Sequence, residues 1–162
     1  PTQSLLPNQT TNITATVTPA GGSFVWLFNG SAISGAGGAV LGPLGVSDIG
    51  TYSVRYTDPN GCVNTSSTIA ITGTPDSRLW VYPNPNTGRF VVRYYNQTNE
   101  SLTLNIYNSL GQRILQKAFV TTTPYSSMEI DLSDRHSAGV FIIELINSAG
   151  EKVGAQRVQI LR

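Results

Sequence analysis

Cysteine is nearly absent from this chain. Cys62 stands alone among 162 residues, so no disulfide can form within it. Small secreted domains often lean on disulfides to hold a thin core, and here aromatic and β-branched packing has to suffice. Histidine is as scarce: His136 is the only one, far along the chain from Cys62. A thiol without a neighbouring base is a poor nucleophile, and Cys62 is read as a free, partly buried thiol with no catalytic role. Charge is sparse too. Only 12% of residues are charged and the net charge is +1, which leaves no basic field for nucleic acid or an anionic membrane. Before Pro75 the only charged residues are Asp48, Arg55 and Asp58. No apolar run approaches the roughly 18 residues of a membrane-spanning helix, and no signal-peptide pattern opens the chain. Pro1 is not an initiator methionine, so the chain is read as starting within a longer protein. Helical periodicity never lasts about ten residues. Phosphate loops, zinc spacings and nucleophile motifs are missing. These absences predict no enzyme, no cofactor and no metal site.

What is present is alternation. Ile13, Ala15 and Val17 alternate with Thr; Phe24, Trp26 and Phe28 follow, then Tyr52, Val54 and Tyr56, then Ile69 and Ile71. Period two over short runs predicts strands with one buried face. Turn residues separate them: Pro19-Ala20-Gly21-Gly22, Asn29-Gly30 and Asp58-Pro59-Asn60-Gly61. In the last, Pro sets the first corner and Gly accepts positive φ at the end, which predicts a hairpin. Residues 72–77 carry no large apolar side chain and read as a linker. The division expected is a domain over 1–73, a linker over 74–78 and a second domain over 79–162. Strand patterns in the second part fall at 79–82, 89–95, 101–107, 112–120, 126–132, 140–146 and 152–161, seven in all. Two turns look alike, Asn108-Ser109-Leu110-Gly111-Gln112 and Asn147-Ser148-Ala149-Gly150-Glu151. Both place Gly where a hairpin needs the left-handed region.

Trp26 lies mid-strand with aromatic residues in phase on either side, the pattern of a core tryptophan. Asp48-Ile49-Gly50-Thr51-Tyr52 resembles a tyrosine corner, in which a Tyr bonds back to the chain and pins the crossing between two sheets. Val54 stands where an antibody-type domain has its second cysteine. Trp26, Tyr52 and Val54, with Ala15 or Val17, are the expected core. The stretch from Trp26 to Ala36 is similar to the Ig-like repeats of large bacterial surface proteins. The first domain is therefore expected to be an Ig-like sandwich serving as a spacer. The competing reading is an adhesive or carbohydrate-binding Ig-like module, with exposed coplanar aromatics as its signature.

In the second domain Tyr82-Pro83-Asn84-Pro85-Asn86-Thr87-Gly88-Arg89-Phe90 opens the pattern. Ile106 through Leu110-Gly111-Gln112 follows, then Leu132 through Gly139-Val140-Phe141, then a last strand bearing Lys152 and Arg157. In that order and spacing, residues 79–162 resemble the type A C-terminal sorting domain of the type IX secretion system of Bacteroidota. Phe141 stands where that family has Tyr. The resemblance implies a small seven-stranded Greek-key-type sandwich that acts as an address label. It also implies partners: the outer-membrane translocon, a sortase-like surface protease, upstream cargo, and anionic lipopolysaccharide after processing. Localisation would be the cell surface or the medium, reached through the periplasm and outer membrane. The sorting-motif residues it assigns are Tyr82, Pro83, Asn84, Pro85, Gly88, Phe90, Leu110, Gly111, Gly139, Phe141, Lys152 and Arg157.

Asp131 and Asp134 with His136 form a small polar cluster, too poor in oxygens for calcium, and read as a solvated loop. Six N-x-S/T sequons, at Asn8, Asn12, Asn29, Asn64, Asn96 and Asn99, read as Asn/Thr-rich strand and turn chemistry. The C-terminal strand is expected to offer an exposed edge for strand addition, guarded by Lys152, Arg157 and Arg162.

Overall fold

A computed structural model describes residues 2–96, 99–133 and 138–161. Every regular element among them is a strand. The chain divides into two compact units, Pro1–Thr74 and Pro75–Arg162. The all-β class expected from alternation holds, with tandem β-sandwich units.

The first unit contains β1 (Thr2–Leu5), β2 (Thr11–Thr14), β3 (Ser23–Phe28), β4 (Ser31–Ala32), β5 (Val40–Leu44), β6 (Gly50–Thr57), β7 (Val63–Thr65) and β8 (Ile69–Gly73). One sheet runs β1-β8-β6-β3-β4, with β7 also paired to β6; β2 and β5 form the other. Among the described strands of this unit, only β1 and β8 pair in parallel. Tyr52, Val54 and Tyr56 all turn inward from β6, as period two demands. Trp26 faces Val54 across β3 and β6. It is 2% exposed, and its Nε1 donates to the Gly38 carbonyl at 2.8 Å, which removes the penalty of burying that polar group.

The tyrosine corner forms. Tyr52 Oη donates to the Asp48 carbonyl at 2.7 Å. Burial, and then the Asp48 charge, push the phenol up to about 12. Gly50 is required because a Cβ there would lie 2.3 Å from the Phe28 ring, which packs at a tilt of 42° against Tyr52.

Two expectations need correction here. Alternation predicted a strand through Val17, but β2 ends at Thr14, and Ala15 and Val17 are half-buried outside any ladder. Cys62 is exposed rather than partly buried. It follows a tight turn whose hydrogen bonds use its backbone, so its side chain has no core to enter.

The second unit contains β9 (Trp80–Tyr82), β10 (Arg89–Arg93), β11 (Glu100–Tyr107), β12 (Arg113–Thr121), β13 (Met128–Asp131), β14 (Gly139–Ile146) and β15 (Lys152–Ile160). A three-stranded sheet runs β13-β10-β9 and a four-stranded one β12-β11-β14-β15. The chain leaves the larger sheet after β12, contributes β13 to the smaller, and returns as β14. Between the sheets lies one cluster that includes Phe90, Val92, Leu104, Ile106, Ile143 and Val158. Side chains of this type, fully buried, each contribute roughly 1.5–3 kcal/mol.

The two look-alike turns are superimposable in their bonding. Asn108 Oδ1 accepts from the N–H of Leu110 and Gln112 at 3.0 and 2.9 Å; Asn147 Oδ1 accepts from Ala149 and Glu151 at 3.0 and 2.9 Å. Gly111 and Gly150 take φ of 76° and 82°. Asp58 repeats the device in the first unit: its Oδ1 accepts from Asn60 and Cys62 at 2.8 and 2.9 Å, with Gly61 at 87°. One turn solution thus serves three hairpins.

Candidate functional site

The residues from Tyr82 to Gly88 form an irregular stretch between β9 and β10. The Tyr82–Pro83 and Asn84–Pro85 bonds are both cis. Proline cannot donate, so Pro83 and Pro85 contribute no N–H to a ladder. Asparagine side chains take over. Asn84 Nδ2 donates to the Arg157 carbonyl at 2.9 Å, and Asn84 Oδ1 accepts from the Gln159 N–H at 2.9 Å. The Asn86 N–H donates to the Gln159 carbonyl at 3.0 Å, and the Leu161 N–H donates to the Asn86 carbonyl at 2.7 Å. Asn86 runs parallel to Ile160 as an isolated bridge. The motif stretch therefore behaves as a short surrogate strand on β15.

This corrects the expectation of an exposed edge for the C-terminal end of the last strand alone. β15 does lie at the margin of its sheet, but its outer backbone groups from Arg157 to Leu161 are already occupied by Asn84 and Asn86. Arg162 lies outside the described residues.

Asn86 also holds the stretch itself. It is 6% exposed; its Nδ2 donates to the Pro83 carbonyl at 3.0 Å, and its Oδ1 accepts from the Gly88 N–H at 2.7 Å. Gly88 has φ of 102°, and a Cβ would sit 2.7 Å from Ser133 Cα. Its carbonyl accepts from the Leu132 N–H at 2.8 Å. Tyr82 Oη accepts from Arg93 Nε. Phe90 is buried in the core.

The other motif residues divide by position. Gly139 pairs with Ile160, and Phe141, buried, pairs with Val158. Arg157 faces Ile142, which in turn faces Tyr107. Leu110 and Gly111 lie beyond Tyr107 in the β11–β12 turn, at the same end of the sheet, and Leu110 is 82% exposed. Lys152 does not join them. It pairs with Ile146, four residues along β14 from Ile142, roughly 13 Å away at about 3.3 Å per residue. There its Nζ is 3.8 Å from Glu144. Pro83 and Pro85 lie within the bonded stretch. Asn86 and Gln159 were missed as separate contributors. The available signal for the first was an asparagine directly after Pro85 and two residues before Gly88, and nothing in an alternating strand singles out the second.

Asp131 pairs with Arg89 at 2.9 Å and bonds Ser133. The Ser133 hydrogen bonds first, then Arg89, hold its carboxyl below the usual range. Asp134 and His136 of the proposed polar cluster lie outside the described residues. Among the described residues no three acidic, His or Cys side chains gather as a metal site. Trp26, Tyr52 and Val54 form a core, as their pattern required.

Residues 80–160, half of the chain, match the model of the secretion system C-terminal sorting domain, a family of sorting signals rather than of enzymes. No curated protein matches the chain. Among solved structures it is similar to PorZ, a surface component of the type-IX secretion system of Porphyromonas gingivalis, at 18% identity and a TM-score of 0.39; the match covers 68% of this chain and 15% of that one. It is also similar to SGBP-B of the Bacteroides ovatus mixed-linkage glucan utilization locus, at 16% identity and a TM-score of 0.37, covering 99% of this chain and 42% of that one. The amphioxus IgVJ-C2 molecule matches at 15% identity and a TM-score of 0.34, with 99% of both chains covered. The chain thus spans well under two thirds of the first two. Its matched half makes it a member of the secretion system C-terminal sorting domain family, carrying a type IX signal for export through the outer membrane to the cell surface or the medium.

Proposed function

We propose that the signal is read as a single composite surface: the Tyr82–Gly88 stretch bonded to the Arg157–Leu161 end of β15. The observation that carries this is the pair of bonds from the Asn84 side chain to Arg157 and Gln159. The two ends of the sorting domain, far apart in sequence, meet there. In this reading Tyr82, Pro83, Asn84, Pro85, Gly88 and Arg157 shape the surface. Gly139, Phe90 and Phe141 support it from beneath, and Leu110 with Gly111 adds an exposed apolar tip at the same end. Lys152 belongs to a separate contact at the far end. The reader is the type IX outer-membrane translocon, with a sortase-like surface protease acting afterwards and anionic lipopolysaccharide as the anchor. The first domain, over 1–73, then acts as an Ig-like spacer, joined by residues 74–78. The burial of Trp26, Tyr52 and Tyr56 supports spacer over carbohydrate platform, because stacking needs an open ring face.

The test is to fuse the whole chain behind a periplasm-targeted fluorescent protein in a host with the type IX machinery. Asn84→Ala with Asn86→Ala removes the side-chain bonds and leaves the apolar core intact. The native fusion should reach the surface or medium and the double variant should accumulate in the periplasm, both folded by circular dichroism. Equal export of the two would show that the composite is not what is read.

A further inference from the structure

A cleft of about 480 Å³ opens in the first unit between residues 13–18 and residues 64–69, with Trp26, Tyr52, Val54 and Tyr56 on its floor. The chain along one rim keeps a strand's alternation past the end of β2: Ala15 and Val17 are half-buried, while Thr14, Thr16 and Thr18 are exposed. The Ala15 N–H still donates to the Ala39 carbonyl at 2.8 Å. After it, the N–H groups of Thr16, Val17 and Thr18 have no partner among the described residues. On the other rim Ser66 and Val54 exchange two bonds, at 2.9 and 3.1 Å. The next two N–H groups, of Ser67 and Thr68, again have no partner among the described residues. The sheet that holds β2 has only two strands, against six in the sheet facing it.

Two rims with unspent backbone donors beside an apolar floor are what an incoming strand requires. We infer that this cleft takes an extended polypeptide segment by strand addition, one that is uncharged and has small apolar residues at alternate positions. No charged side chain lines the cleft, so a charged occupant would lose hydration and meet no counter-charge. Alternate residues of such a segment would point toward the half-buried Ala15, Val17 and Ile69, and its backbone would pair with the rims. A neutral glycan is the competing class. Against it, Trp26, Tyr52 and Tyr56 are 2%, 3% and 7% exposed and offer no ring face. This inference goes beyond the sorting signal, which lies in the other unit.

The experiment is amide exchange, followed by NMR on the full chain, with an eight-residue peptide alternating Val and Ser as probe. The expected result is at least about tenfold slower exchange at Thr16 and Thr18, or at one of Ser67 and Thr68, because only alternate N–H groups of an extended chain face an added strand, as for a newly made hydrogen bond. A peptide with Lys in place of each Val should give no slowing. Thr16→Pro and Thr68→Pro each delete a free N–H without breaking a native hydrogen bond, and at least one should weaken peptide binding at least about tenfold. Unchanged exchange at all four amides overturns the inference, as does full-strength binding by both proline variants. Binding of a neutral β-glucan oligosaccharide at these residues, with no effect of the Val–Ser peptide, would overturn it in favour of a glycan cleft.

Discussion

The two units solve the same problem differently. The first sets six strands against two and leaves a cleft where its smaller sheet stops short. The second sets four against three and closes over a continuous apolar cluster. The first has little charge and relies on two aromatic pairs, Phe24 with Tyr56 and Phe28 with Tyr52, to brace its larger sheet. The second spends asparagine and proline on its margin, where Asn84 and Asn86 occupy the backbone of β15. An open margin suits a domain that can be lengthened or joined. A closed one suits a domain that must present one defined surface and avoid pairing with other chains.

The contrast breaks most sharply if the two cores are coupled. Trp26→Ala should cost about 3–5 kcal/mol in the first unit, and Leu104→Ala about 2–5 kcal/mol in the second. Calorimetry should show two transitions, each variant lowering only one. A single transition that both variants lower would mean the units fold together. Next in size is Gly88→Ala. Its positive φ alone costs on the order of 1–3 kcal/mol in a residue with a side chain, and the added Cβ meets the Ser133 backbone. Denaturant unfolding should show the second transition shifted and the first unmoved; an unshifted second transition would show that the stretch is not fixed against Ser133. The smallest effect is Tyr52→Phe, about 0.5–1.5 kcal/mol for one lost hydrogen bond.

That last variant also sharpens the comparison through pH. Tyr52 and Tyr125, one in each unit, are both pushed up to about 12 by burial first and nearby carboxylates second, Asp48 and Asp76 respectively. A phenol whose folded value lies above its unfolded value of 10.0 binds more protons in the folded state between the two. Its contribution is therefore complete below about pH 10 and lost as pH climbs toward 12. Both transitions should fall over that window in the native chain. In Tyr52→Phe the first should fall less and the second unchanged. Equal alkaline sensitivity of the first unit in both proteins would show that Tyr52 is not responsible.

Much of this was legible from residue order. Period two located the inward faces of β3, β6 and the seven strands of the second unit, because a half-buried strand must alternate. The Asp48–Tyr52 pattern announced its own hydrogen bond. β5 was not legible. Its sequence Val40-Leu41-Gly42-Pro43-Leu44 shows no alternation, and it pairs with β2 across a register shift opposite Thr11 and Ile13, where a Cβ at Gly42 would strike the Asn12 side chain at 2.1 Å. The similarity of the Asp58 turn to its two asparagine counterparts was hidden by the change from amide to carboxylate, though one oxygen does the same work in each. The join between the motif stretch and the last strand was not legible either. Periodicity reports which face a residue takes within its own strand, and says nothing about which distant strand a side-chain amide will bond.

The exchange rate of the Gln159 amide reads the join between the Tyr82–Gly88 stretch and the last strand. Its N–H has the Asn84 side chain as acceptor, whereas Val158 sits in the ladder with Phe141. In Asn84→Ala the Gln159 amide should exchange at least about tenfold faster while Val158 stays protected, since a local opening leaves the core ladder closed. A Gln159 amide equally protected in both proteins would contradict the claim that the Tyr82–Gly88 stretch and the last strand form one surface.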